Sequence, residues 1–322
     1  MKVRRGAWLK GILLLVAVGL ASPAEARARK KRKRLATAVV AARPEDDVRK
    51  RGSSPAFRKA TIAFVAPADL SEHQIDGPVE IRLTVNGYAI GAARPGGPVP
   101  HAHLIVDNEA TLEIADVAAA WTLRGLPPGP HFVRAVLCRP WHEVVKAPKA
   151  FAMARFWVGP RLGGKAGKAA EGVSWPHPRV PLLTYVLPAG APPEGLTLSR
   201  VATETEAQDP TSEAHATVAA VEEPVPGANR PVLDFYLSNA KLGRRGDKVL
   251  VVLDKRELPL VTDWKPLPLR RAPSGKHWLS VDLLSRKGLK VHNVANRTDR
   301  AFTAERPAAR ARPAARAEIS AR

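Results

Sequence analysis

The chain has 322 residues, 45% of them hydrophobic, enough for about two ordinary domains of roughly 150 residues each. Its 30 prolines disfavour a mostly helical protein, and a single cysteine, Cys138, excludes an intrachain disulfide framework. Much of the net charge of +21 is gathered near the two ends, the mark of solvated arms rather than a shaped basic groove.

Residues 1–26 read as an export signal. Lys2, Arg4, Arg5 and Lys10 precede an apolar run at 11–21, and Ala24-Glu25-Ala26 supplies small residues for cleavage after Ala26. Eleven apolar residues fall far short of the ~20 that span a bilayer as a helix. Positive charge just beyond the cut weakens the orientation signal, so an uncleaved, membrane-held segment is the alternative. Residues 27–58 are expected to be a disordered basic segment. Seven of the eight residues from 27 to 34 are basic, and little apolar surface follows to offset the entropy of ordering.

From residue 59 the pattern becomes that of short strands. The run 61–66 ends at Pro67, and 80–85 alternates polar and apolar before the hairpin pair Asn86-Gly87. His101-Ala102-His103 opens a strand that ends at Asp107-Asn108. Trp121-Thr122-Leu123 precedes the turn Pro127-Pro128-Gly129, and strands follow at 132–137 and 155–158. Turn signals every 8–12 residues predict a β-sandwich over 59–160. The segment 161–179, with Gly163-Gly164-Lys165-Ala166-Gly167-Lys168, is read as a flexible linker.

The same order recurs over 180–305. Leu183 to Pro188 echoes Ile62 to Pro67; Leu233, Phe235 and Leu237 echo Ile81, Leu83 and Val85; the strand ending at Asp254 echoes the one ending at Asp107; Trp264 echoes Trp121. His277, Leu283 and Phe302 each follow His131, Leu137 and Phe156 by 146 positions. A constant offset that carries turn and core residues together points to an internal duplication. An acidic insertion at about 191–229, rich in Glu and Pro, is predicted to be a surface loop. Residues 306–322 are a low-complexity Ala/Pro/Arg tail. The fold class is therefore all-β: two tandem immunoglobulin-like β-sandwich modules with disordered basic N- and C-terminal arms.

Histidine is the residue type with most chemical interest. In an extended strand, residues i and i+2 share a face, so His101 and His103 can both reach one metal ion. His131, from a neighbouring strand, and His142 complete the candidate set, with Glu143 or Asp107 as oxygen donors. Neutral imidazole suits copper or zinc. The second copy lacks the set: only His277 matches His131, while Lys248 and Leu250 fall near the places of His101 and His103. A turn histidine that donates to a backbone carbonyl is the alternative for His131 and His277. Trp121 and Trp264 read as core anchors, Cys138 as an inert thiol, and Asp107 and Asp254 as turn formers.

The pieces His101-Ala102-His103-Leu104-Ile105-Val106-Asp107 and Leu126-Pro127-Pro128-Gly129-Pro130-His131 resemble a small immunoglobulin-like β-sandwich module of bacterial exported proteins. Those modules usually have Gly after the Asp, where this chain has Asn108. The resemblance implies fold and an exported location, not an activity.

No Gly-rich phosphate loop, Gly-x-Ser-x-Gly elbow, His-Glu-x-x-His or Cys-x-x-Cys occurs in the sequence, and no enzymatic activity is expected. The function expected is that of a non-enzymatic binding or scaffold protein of the cell envelope, periplasmic or secreted. Its partner would be another envelope protein or an anionic surface polymer, with peripheral membrane contact through the basic arm. Sequence-specific nucleic-acid binding is not expected, because 27–34 lacks aromatic residues for stacking. The alternative is a periplasmic copper- or zinc-binding protein.

Overall fold

A computed structural model describes residues 57–91, 99–202, 231–270 and 272–304, and the backbone of a short strand at 217–218. The export signal, residues 27–56 of the basic segment, most of the acidic insertion and the tail lie outside the described residues.

The first module is built from β1 (Thr61–Ala66), β2 (Ser71–His73), β3 (Val79–Asn86), β4 (His101–Val106), β5 (Ala110–Ile114), β6 (Trp121–Arg124), β7 (Gly129–Cys138) and β8 (Phe151–Val158). After α1 (Gly164–Ser174) come β9 (Leu182–Leu187), β10 (Thr197–Arg200), β11 (Thr217–Val218), β12 (Val232–Ser238), β13 (Lys248–Leu253), β14 (Arg256–Glu257), β15 (Leu267–Pro268), β16 (Gly275–Leu284) and β17 (Arg297–Ala304). The first module packs sheet β1-β3-β6-β10-β11 against sheet β2-β8-β7-β4-β5. The second packs β15-β12-β9 against β14-β13-β16-β17. Period-two patterning drives this: along β3, Val79, Ile81 and Leu83 are buried while Glu80, Arg82 and Thr84 are exposed. Apart from α1, the regular structure of the described residues is strand, in two β-sandwiches.

The two sandwiches share an equivalent register at one histidine–phenylalanine pair. Across β7 and β8, His131 stands opposite Phe156; across β16 and β17, His277 stands opposite Phe302. Trp264 is not the counterpart of Trp121. Trp121 pairs with Ile81 across β6 and β3, and the equivalent pair across β15 and β12 is Leu267 with Leu233. Trp264 lies before β15 and donates its indole N–H to the Phe235 carbonyl at 3.0 Å.

Two further expectations are corrected. The linker holds a helix, α1, docked by non-local contacts: the Trp157 indole donates to Glu171 at 3.1 Å, and Trp175 packs among Phe132, Trp157 and Leu182. Gly167 lets the chain entering α1 fold close over its first turn, since a Cβ there would meet the Leu162 carbonyl. The acidic insertion is not loop throughout: after a short turn it forms β10, which pairs antiparallel with β6 of the first module. Leu198 of β10 is fully buried in the first module's core, with Val186, Leu187 and Tyr236 from the second. One hydrophobic core thus runs across the boundary. Among the described residues no helix is long and apolar enough to cross a membrane.

Candidate metal centre

β4 is an interior strand, flanked by β5 and β7, and every one of its residues is buried. Alternation puts His101 and His103 on one face. The β4–β5 register sets Glu113 directly opposite His103, and the β4–β7 register sets Cys138 opposite His101. His142 enters from the connection between β7 and β8, where its backbone takes a left-handed φ of 62°. The three histidines are 1%, 0% and 8% exposed, in chain order.

Their ring nitrogens converge. His101 Nε2 lies 2.9 Å from His103 Nε2, which lies 3.2 Å from His142 Nδ1. The Glu113 carboxylate closes the group, 3.8 Å from His101 Nδ1 and 3.9 Å from His142 Nδ1. One donor atom from each of the four residues falls within 4.8 Å of all the others. A tetrahedral ion with bonds of about 2.0–2.1 Å holds its donors about 3.3 Å apart, so small side-chain shifts would seat one.

The hydrogen bonding within the cluster is incomplete. The Val99 carbonyl, 2.8 Å from His101 Nδ1, can only accept, so that nitrogen carries the proton and Nε2 presents a lone pair. A neutral His103 has one Nε2–H for both His101 and His142, so at most one of the two short contacts is a full hydrogen bond. Its Nδ1 is buried with no hydrogen-bond partner. A second proton is no remedy. Burial lowers the pKa of all three rings: His101 against the pull of Glu113 and Val99, His103 well below the usual value with its two neighbours adding to the effect, and His142 to about 4. Neutral imidazoles facing a common point, with one ring fixed through its far nitrogen by a backbone carbonyl, form a donor set for a borderline transition metal.

His131 is not part of this set. His101 and His103 pair with Cys138 and Val136 at the far end of β7, and five residues of strand between His131 and Val136 span about 17 Å. His131 instead clasps the β4–β5 turn. Its Nδ1 lies 2.5 Å from Asp107 Oδ2 and its Nε2 lies 2.7 Å from the Pro127 carbonyl, while Phe132 N–H donates to Asp107 Oδ1 at 2.9 Å. The second module repeats the clasp: His277 to Asp254 and Pro273 at 2.7 Å each, and Trp278 N–H to Asp254 at 3.0 Å.

The oxygen donor is also corrected. Asp107 is engaged by His131, and Glu143 accepts from the Trp141 indole at 2.9 Å. Glu113 takes the place proposed for them. Sequence reasoning missed it because it did not read 110–114 as a strand; a hairpin turn at Asp107-Asn108 was the available signal, since counting back from it places Glu113 beside His103. Cys138, on the His101 side, is fully buried, and burial pushes its thiol well up, which keeps it protonated.

No protein-family model and no curated protein matches the chain. Among solved structures it is similar to the fibronectin(III)-like modules of CbhA from Clostridium thermocellum, with 10% identity and TM-score 0.23, over 30% of this chain and 94% of that one. It is also similar to the central fibronectin-III array of RIM-binding protein, with 10% identity and TM-score 0.20, over 74% and 67% of the two chains. A third similarity is to Bacteroides ovatus SGBP-B, solved with a mixed-linkage heptasaccharide, with 12% identity and TM-score 0.19, over 75% and 70% of the two chains.

Proposed function

We propose that this chain is a non-enzymatic, exported binding protein whose first β-sandwich holds one zinc or copper ion on His101, His103, His142 and Glu113. The observation that carries the reading is the convergence of three buried, neutral ring nitrogens within 2.9 and 3.2 Å of their neighbours. Four protein donors close the coordination of a tetrahedral ion and leave no open position for a reacting water, which favours binding over catalysis. The signal-like residues 1–26 support export to the periplasm or medium, where the basic arms would attract anionic envelope polymer or lipid headgroups.

The test is metal analysis with intact mass on protein recovered from the periplasm or medium of a Gram-negative host. One equivalent of zinc or copper on a chain beginning at Arg27 is expected, with a Kd of about 1 μM or tighter. The His101→Ala, His103→Ala double variant should bind none. A metal-free wild type that takes up neither ion at ~10 μM overturns the metal reading, and a chain retained in the cytoplasm overturns export.

A further inference from the structure

We infer that ion binding at the histidine cluster and docking of the second module on the first are two halves of one coupled equilibrium. This rests on the reading of the cluster as a metal centre.

The connection that carries His142 is also the seat of β12. Val144 N–H donates to Asp234 Oδ2 at 2.8 Å, and the Lys146 ammonium holds both Asp234 oxygens at 2.7 and 3.1 Å. The Tyr236 hydroxyl donates to the Ala147 carbonyl at 2.6 Å, and its ring stacks on Phe151 with centroids 5.2 Å apart. Asp234 is almost fully buried, and so is the Lys146 side chain, so this ion pair across the modules is shielded from water.

Only Glu143 separates His142 from Val144. The turn between them is tight: Arg139 N–H donates to the Glu143 carbonyl at 2.8 Å, His142 N–H to the Arg139 carbonyl at 2.9 Å, and Val144 bridges back to Cys138. A shift of His142 is therefore a shift of the amide that binds Asp234. Asp234 itself lies at a register break in the β9–β12 pairing, where the ladder is locally interrupted. Without an ion, His101 and His142 compete for the single Nε2 proton of His103, which weakens the hold on His142. An ion that draws the three rings together holds the turn in the conformation that β12 needs.

The second module offers an internal contrast. Its equivalent turn has Gly288 in place of His142, and Lys290, in place of Val144, pairs with Asp282 of its own module at 3.2 Å. Histidine and docking seat thus occur together on the turn that joins the modules and are both missing from the turn that does not.

Linkage makes the coupling reciprocal: whatever factor zinc adds to docking, docking adds to zinc affinity. The experiment is calorimetric zinc titration of the full mature chain, alongside Asp234→Asn and Tyr236→Phe, with hydrogen exchange of β12 measured with and without zinc. Tyr236→Phe removes one hydroxyl from an otherwise intact core and serves if the Asp234 variant misfolds. The expected result is a fall in zinc affinity of about fivefold or more in the docking variants, and slower exchange of the β12 amides when zinc is added to wild type. Unchanged affinity together with unchanged exchange in a zinc-binding protein overturns the coupling and leaves the metal centre standing. A wild type that binds neither zinc nor copper removes the metal centre, and the coupling with it; if copper alone binds, the same titrations with copper decide the coupling.

Discussion

His142 and Gly288 hold the same place in the two modules, both in left-handed backbone, at φ 62° and 78°. Each lies two residues before a residue that bridges back to the end of the long strand, Val144 to Cys138 and Lys290 to Leu284. A left-handed φ is free for glycine and costs other residues roughly 1–2 kcal/mol. The first module accepts that cost and places an imidazole beside His103.

His142→Gly is therefore expected to leave the apo fold at least as stable as wild type, by about 1 kcal/mol if packing losses are small. Zinc affinity should fall by about a hundredfold or more. Thermal unfolding in chelator and a competition titration check the two halves. A variant that is less stable in chelator would show that packing of the ring outweighs the backbone cost, and an unchanged zinc affinity would remove His142 from the ligand set.

The two clasps predict a pH dependence. Burial alone would lower the pKa of His131 and His277, but the bonds to Asp107 and Asp254 and to backbone carbonyls outweigh it and raise both. A histidine whose folded pKa is raised contributes stability that is fully present below its ordinary value near 6.5, and loses it as pH rises through the folded value. Melting temperature, followed in chelator, should fall between about pH 6.5 and the raised pKa values. The His131→Gln, His277→Gln double variant should be flatter over that range, and an equal slope in both proteins would contradict the clasp.

The joined core predicts single-transition unfolding. Leu198 of β10 is fully buried against the first module, so Leu198→Ala should cost about 2–4 kcal/mol although the residue follows the first module in sequence. Gly125, at φ 85°, faces the Gly195 carbonyl where β6 meets the segment leading into β10, and Gly125→Ala would force the two apart. Urea unfolding monitored by tryptophan fluorescence should show one transition shifted to lower midpoint in both variants. Two separated transitions in wild type would show modules that fold independently.

What the sequence determined by itself was local. The alternation of β3, the turn at Asp107-Asn108 and the offset of 146 positions between His131 and His277 are all readable from neighbours in the chain, and they carried the strand pattern, the duplication and the shared face of His101 and His103. The alternative reading of His131 and His277 as turn histidines that donate to a carbonyl was likewise available, because Pro127 and Pro273 each lie four residues away. Non-local contacts decided the rest. Strand register separated His131 from the cluster and brought in Glu113, since position along β7 has no signature in composition or period. Burial against Phe132 and Trp157 folded the glycine-rich linker into α1, and pairing with β6 turned the start of an acidic insertion into β10. Both gain their stability from surfaces distant in sequence, so only the tertiary structure could place them.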